Sequence, residues 1–188
     1  MSQADREKWN QAYRARANRL PPSAFVTGLA AWFPARGRAL DVAGGAGRHA
    51  LWLAGRGLEV TLADVSDVAL AEAAQAAAGA GVKFATLQLD LEAEPLPPGP
   101  WDVILCSFFL HRPLFAQFAE ALAPGGVLAV AHPTRRNLER HPKPGAAFLL
   151  EEGELAAFAR GLEVIACDEG WRESGVHEAR LIARLPVA

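Results

Sequence analysis

The chain contains 188 residues, of which 51% are apolar and 21% charged, and its 19 basic and 21 acidic side chains leave a net charge of -2. This size and composition predict one globular domain with a buried core and exclude an intrinsically disordered chain. Because the charges nearly balance, we expect neither nucleic acid nor a membrane surface as a partner.

Cysteine usage and the N-terminal residues predict the compartment. Cys106 and Cys167 each lie in an apolar segment, which favours buried thiols in a reducing compartment over a disulfide. Residues 1–19 are polar, and no apolar run approaches the roughly 20 residues that cross a membrane. We therefore expect a cytoplasmic protein, monomeric or homodimeric, with no metal site.

Apolar runs alternate with helical patterns along the middle of the chain, which indicates βαβ units and a parallel sheet covered on both faces. The predicted strands are 38–43, 58–63, 82–89, 101–107 and 127–131. The predicted helices are 48–57, one from the N-cap Ser66 to Gly79 or Gly81, one opened by Pro113, and 151–160. Residues 133–145 form a predicted loop, and 162–168 with 178–185 form a closing antiparallel strand pair.

The strongest local feature is a predicted strand that ends in a glycine turn and opens a helix, over residues 39–49. Glycines at such a turn let the backbone approach a ligand closely. The spacing of Gly45, Gly47 and Ala50 also fits the dinucleotide fingerprint, and a purely structural turn is a third reading.

Three acidic residues follow three successive predicted strands. Asp41 lies just before the glycines, where a carboxylate repels a pyrophosphate and suits a ligand with a cationic amine. Asp64 ends the second strand, where it can accept ribose hydroxyls, or can act as a helix N-terminal acid beside Ser66. Asp90 ends the third strand, where it can accept from an adenine amine. In an open α/β sheet these ends converge on one crevice.

These features, with the segments 101–107 and 122–128, resemble in order and spacing the motifs of class I S-adenosylmethionine-dependent methyltransferases. The resemblance implies a doubly wound, Rossmann-like α/β domain whose seven-stranded, mostly parallel sheet has the order 3-2-1-4-5-7-6 and an antiparallel last strand. It implies S-adenosylmethionine as cofactor and a small-molecule acceptor. The domain then spans residues 1–188, with an N-terminal helical cap (1–35), a cofactor-binding core (38–132) and a substrate-side remainder (133–188).

The resemblance also indicates the type of methyltransferase and the residues that bind the cofactor. The Trp9-x-x-x-Tyr13 spacing is similar to the opening of small tellurite-resistance and thiopurine methyltransferases, where this segment covers the cofactor; an aromatic pair packed on the core is the alternative. The family usually has glycine at the position of Ala43. The residues that the resemblance assigns to the cofactor are Trp9, Tyr13, Asp41, Ala43, Gly44, Gly45, Gly47, Arg48, Asp64, Val65, Asp90, Leu91 and Ser107.

The candidate acceptor side follows the fourth predicted strand. His111 can accept a proton or orient the acceptor, and we place it with Arg112 in the catalytic set; a plain hydrogen-bonding loop residue is the alternative for His111. Basic residues crowd the next loop and predict either a positive face for an anionic substrate or a solvated surface: His132, Arg135, Arg136, Arg140 and His141. His177 is predicted in a β-turn.

Methyl transfer to a soft or anionic nucleophile, such as a thiol or a selenium or tellurium oxyanion, is the function that these residues favour. Two other functions stay open on the sequence alone. Gly45, Gly47 and Asp64 also fit an NAD-dependent oxidoreductase, and Ala43 leaves room for a non-catalytic nucleotide-binding module.

Overall fold

The computed structural model describes residues 3–16 and 20–187. The strands are β1 (Arg38–Val42), β2 (Glu59–Asp64), β3 (Ala85–Gln88), β4 (Trp101–Ser107), β5 (Leu122–Pro133), β6 (Glu163–Trp171) and β7 (His177–Arg184). The α-helices are α1 (Gln3–Arg14), α2 (Ala24–Gly28), α3 (Arg48–Gly55), α4 (Asp67–Ala80), α5 (Arg112–Ala121) and α6 (Glu154–Ala157). Two short 3-10 helices, Arg135–Glu139 and Ala146–Phe148, lie between β5 and α6.

The seven strands form one sheet in the order β3-β2-β1-β4-β5-β7-β6, as predicted. The first five strands pair in parallel, whereas β7 is antiparallel to both β5 and β6. The chain therefore has the doubly wound fold with a reversed last strand.

The central strands are mostly apolar because helices cover both faces of the sheet. One face packs Leu40, Ile104 and Leu128 against α5 and α6. The other face packs Leu62 and Leu105 with the residues of α2 and α3. Each of these five side chains is fully buried, and burial of one such side chain stabilises the fold by about 1.5–3 kcal/mol.

The predicted ends of α4 are confirmed. Ser66 lies in extended conformation at the N-cap, and its Oγ accepts from the Ala69 amide at 3.1 Å. Gly81 ends the helix in the left-handed conformation, with φ +67°. The helix therefore begins and ends where local capping chemistry requires.

Several predicted bounds were wrong. The third strand is only Ala85–Gln88, an exposed strand at the sheet edge, so Asp90 lies two residues beyond it. The fifth strand is longer than predicted and runs through residues 123–126 to Pro133. The last predicted helix, 151–160, shrinks to the single turn Glu154–Ala157 after Gly153 with φ +69°.

Two residues near the C-terminus also differ from the sequence-based expectation. Cys106 is buried as expected, but Cys167 is exposed because β6 is an edge strand that pairs on one side only. His177 is not in a turn: it begins β7, is 3% exposed, and its Nδ1 lies 2.7 Å from Thr134 Oγ1.

The predicted N-terminal cap includes residues 1–2 and 17–19, which lie outside the described residues, as does residue 188. Within the described part, α1 packs against α4. The division of the domain into cap, core and substrate-side remainder stays a prediction. No helix among the described residues is both long and apolar enough to span a bilayer.

Candidate active site

The candidate site lies at the carboxyl ends of β1, β2 and β4. The strand order reverses between β1 and β4, and in an open α/β sheet a ligand crevice forms at such a switch point. The glycine turn follows β1 directly and leads into α3, so its backbone amides lie at this crevice.

The space around each glycine of the turn explains why side chains are absent there. A Cβ atom on Gly44 would lie 2.4 Å from Asp41 Oδ2, and one on Gly45 would lie 2.0 Å from the Tyr13 hydroxyl oxygen. Gly47 has φ +75° and begins α3 as its N-cap. The turn is therefore enclosed by the side chains that the sequence assigned to the cofactor.

Ala43, where the related family usually has glycine, adopts φ +51°. This left-handed conformation is strained for a residue with a Cβ atom. The backbone at this position has the conformation that glycine adopts freely, so Ala43 is strained.

Asp41 is completely buried and has one unused carboxylate oxygen. Its Oδ2 accepts from the Ala50 amide at 3.0 Å, whereas Oδ1 has no hydrogen-bond partner among the described residues. Burial, together with the nearby Asp64 charge, raises the pKa of this carboxyl from 3.8 to about 7, against the lowering effects of the Ala50 amide and the Arg48 charge. A cation placed beside Oδ1 would stabilise the ionised carboxylate.

Asp64 is a nearly buried carboxylate that already binds the backbone. Oδ2 accepts from the Gly45 amide at 2.8 Å and Oδ1 from the Ser66 amide at 2.9 Å. Burial raises the pKa of Asp64. Because a carboxylate offers about four acceptor sites, each oxygen keeps capacity for a hydroxyl donor. The helix N-terminal role and the ribose role are therefore compatible.

The N-terminal helix places Tyr13 over the glycine turn. Tyr13 is 9% exposed, and burial together with the charge of Asp64 raises its pKa to about 12, which keeps the hydroxyl protonated. Trp9 lies 6.4 Å from Tyr13 between ring centroids but is 38% exposed. Tyr13 therefore covers the turn itself, and Trp9 lies at the rim.

Two site residues were missed by sequence reasoning. Asn10 is buried, donates to Asp67 Oδ1 at 2.8 Å and accepts from Ser66 Oγ at 2.6 Å, which fixes α1 to the start of α4. His49 is buried beside the turn, and its Nε2 accepts from the Ser23 amide at 3.3 Å. Burial lowers the His49 pKa to about 3, so its ring is neutral. No sequence pattern reports such long-range partners.

The remaining cofactor candidates surround the same crevice. Val65 and Leu91 are buried, and Asp90 is half-buried, with its Oδ1 accepting from the Glu92 amide at 3.1 Å. Arg48 is half-buried at the start of α3, and burial lowers its pKa. Ser107 Oγ, at the end of β4, is buried without a hydrogen-bond partner in the part of the chain that the structure describes.

A cleft of about 440 Å³ lies between the start of α5 and the segment before α6. It is lined by Arg112, Arg135, Ala146, Ala147, Glu151 and Glu154. Arg112 donates from Nε and Nη2 to Glu154 at 2.5 and 2.9 Å, and from Nη2 to the Leu149 carbonyl at 3.1 Å. This ion pair lowers the pKa of Glu154. His111 is the half-buried N-cap of α5 and makes no side-chain capping bond.

The predicted basic loop is not a free positive face. Arg135 pairs with Glu151 at 2.6 Å, Arg136 pairs with Glu139 at 2.9 Å, and the Arg140 guanidinium stacks over the Trp171 ring at 3.7 Å. His132 is buried, and its Nε2 donates to the Phe148 carbonyl at 2.9 Å. His141 Nε2 lies 2.8 Å from the Gly175 carbonyl. The three arginines of this loop are therefore each paired with a carboxylate or stacked on an aromatic ring.

Comparisons with known proteins agree with this arrangement. Residues 39–126 match the family model described as a methyltransferase domain. Among solved structures, TehB from Haemophilus influenzae is 19% identical with a TM-score of 0.74, over 95% of this chain and 66% of that chain. A TehB-like methyltransferase from Corynebacterium glutamicum is 20% identical with a TM-score of 0.67, over 97% of this chain and 98% of that chain.

The [4+2]-cyclase SpnF is also similar, at 19% identity and a TM-score of 0.70, over 87% of this chain and 80% of that chain. At these identities the likeness to solved structures establishes the fold. No curated protein matches the chain.

The sheet order and the glycine turn, together with the match to a methyltransferase domain, are those of class I S-adenosylmethionine-dependent methyltransferases. The match covers residues 39–126, the fold neighbours include the TehB type, and S-adenosylmethionine is the cofactor of this class.

Proposed function

We propose that the protein transfers the methyl group of S-adenosylmethionine to a small molecule bound in the cleft beside Arg112. The unpaired, buried Oδ1 of Asp41 carries this proposal, because an amine-bearing ligand without phosphate supplies the donor that this oxygen lacks. A pyrophosphate against the same carboxylate would be repelled, which disfavours the NAD-dependent alternative.

The cofactor residues would mainly bind S-adenosylmethionine and shield it from solvent. Asp41 would accept from the amino group, Asp64 from the ribose hydroxyls, and Asp90 from the adenine amine. Val65 and Leu91 would form the apolar walls beside the adenine, while Gly44, Gly45 and Gly47 allow close approach of the backbone. Tyr13 and Trp9 would exclude water from above. Ala43, Arg48 and Ser107 complete the proposed set around the crevice.

When bound, S-adenosylmethionine supplies a sulfonium methyl group that is already activated toward nucleophiles. Held by Asp41, Asp64 and Asp90, it would supply the methyl group, with a neutral thioether as the leaving group. The protein contributes alignment of the two reactants and exclusion of water. With a thiol acceptor, the one proton released passes to solvent.

A soft nucleophile such as a thiol fits the cleft because such an acceptor needs no strong base. Glu154 is a poor base there, since its ion pair with Arg112 lowers its pKa. His111 and Arg112 remain the proposed catalytic pair, with His111 orienting the acceptor and Arg112 fixing the cleft wall through Glu154. Selenium and tellurium oxyanions are the second acceptor class in this proposal.

Calorimetric titration with S-adenosylmethionine tests cofactor binding. We expect a dissociation constant below millimolar and, for Asp41→Asn, binding weaker by roughly tenfold or more, because one charge-assisted hydrogen bond is lost. Glu163→Gln, on the exposed edge strand, is the matched control and should bind as the unmodified protein does. No binding below millimolar would refute the proposal.

Transfer itself is tested by S-adenosylhomocysteine production with a panel of thiol, arylamine, selenite and tellurite acceptors. Product with any acceptor excludes the non-catalytic nucleotide-binding module. Cofactor binding without product from the whole panel favours that module instead.

A further inference from the structure

Three residues with exposed aromatic rings lie on segments that meet near the carboxyl end of β5, and one of these segments, Ala146–Phe148, also lines the candidate acceptor cleft through Ala146 and Ala147. Phe108 is 49% exposed, Phe148 is 58% exposed and Trp9 is 38% exposed. They come from the end of β4, from the 3-10 helix Ala146–Phe148 and from α1, so no single sequence pattern unites them.

Separate contacts bring the three segments together. The Phe108 amide donates to the Ala131 carbonyl on β5 at 2.8 Å. The ring of His132, the next residue of β5, donates to the Phe148 carbonyl at 2.9 Å. The Lys8 ammonium lies 5.7 Å from the Trp9 ring centroid and 5.9 Å from that of Phe148, so it joins α1 to the cleft wall.

Phe108 carries a second, independent sign of function. Its φ is +62°, and among the described residues only Ala43 shares a positive φ without being glycine. A bulky residue in this conformation is a true backbone outlier, and such strain is concentrated where ligands bind. Packing of the ring in the core does not explain this strained backbone, because about half of the Phe108 side chain is exposed to solvent.

We propose that Phe108, together with Phe148 and Trp9, binds an aromatic ring of the methyl acceptor. This proposal rests on the proposed methyl transfer and narrows its acceptor to organic molecules with a planar ring. A ring that stacks on Phe108 would be held beside Ser107 and the end of β4, where the strand order switches. An inorganic oxyanion would leave all three aromatic faces exposed.

Calorimetry on the protein saturated with S-adenosylhomocysteine tests ring binding without turnover. Binding of S-adenosylhomocysteine itself is measured first. Its absence would count against the proposed methyl transfer and not against the aromatic site. The probes are thioanisole and cyclohexyl methyl sulfide, two neutral thioethers with six-membered rings. We expect thioanisole to bind roughly three- to tenfold more tightly, the range for one favourable aromatic pair. Equal affinities, or no binding of thioanisole, would overturn the proposal.

Phe108→Gly should abolish the preference for thioanisole while raising Tm by about 2–4 °C, because glycine relieves the positive φ. Phe148→Ala, which changes no strained backbone, should reduce the preference as well. Trp32→Ala removes a ring that is 42% exposed and lines a different cleft, together with Phe33 and Pro124, so it should keep the preference. A Phe108→Gly variant that keeps the preference, or that loses stability, would mean that the ring has a structural role only.

Discussion

At the residue scale, Ala43 shows a local conflict between sequence and backbone. With φ at +51°, it holds a conformation that disfavours any side chain. We expect Ala43→Gly to raise the free energy of unfolding by about 1 kcal/mol, measured by urea denaturation with an unchanged m value. Ala74→Gly, in the exposed interior of α4, is the matched control and should lose about 1 kcal/mol. If both changes destabilise equally, the positive φ of Ala43 carries no strain.

Also at the residue scale, Asp41 makes the stability of the folded protein depend on pH. Burial raises its pKa from 3.8 to about 7, so the folded protein binds this proton more tightly than the unfolded chain. Its contribution to stability is then complete below pH 3.8 and disappears as the pH rises to about 7. Asp41→Asn should remove this part of the decline.

Unfolding of both proteins in urea at a series of pH values between 4 and 8 measures the difference. The stability of the unmodified protein minus that of Asp41→Asn should fall as the pH rises toward 7 and stay constant above it. A gap that is constant across the whole range would show that Asp41 is ionised throughout.

At the element scale, α1 reaches the cofactor site only because Asn10 fixes it to α4. Asn10→Ala removes the bonds to Asp67 and Ser66 and leaves the Ser66 hydroxyl without this partner. We expect a loss of about 1–3 kcal/mol in stability, faster proteolysis near α1, and weaker binding of S-adenosylhomocysteine, since α1 carries Tyr13. The exposed Gln11→Ala is the control. Unchanged product affinity in Asn10→Ala would show that α1 is not a cover.

The elements also show what a sequence can predict. Strands β1, β2 and β4 were predicted nearly to the residue, because most of their residues are buried and apolar. Edge strands lack this signal, which explains why β3 was predicted too long and why Cys167 of β6 was expected to be buried. The helix 151–160 failed because Gly153 and the ion pairs of Glu151 and Glu154 interrupt its amphipathic pattern.

At the scale of the whole molecule, the site is assembled from residues that are distant in sequence. The carboxylates at the ends of β1 and β2 were predictable, since parallel strands end at a common edge. The Tyr13 hydroxyl over Gly45 and the pairing of Arg112 with Glu154 were not, because single-sequence patterns carry no information on contacts 32 and 42 residues apart. The sequence therefore predicted the strand ends and the residue types of the site, whereas the contacts between these residues are visible only in the fold.

Because cap, glycine turn and strand ends all meet at this crevice, ligand binding should stabilise the whole domain. A ligand present at 100 times its dissociation constant adds about 2.7 kcal/mol, which corresponds to roughly 5–10 °C in Tm for a domain of this size. We expect S-adenosylhomocysteine to produce this shift in differential scanning calorimetry, and NADH to produce none. In Asp41→Asn the shift at the same ligand concentration should be smaller, because the buried carboxylate no longer meets the amine. A shift with NADH but not with S-adenosylhomocysteine would reverse the assignment of the cofactor, whatever the fold.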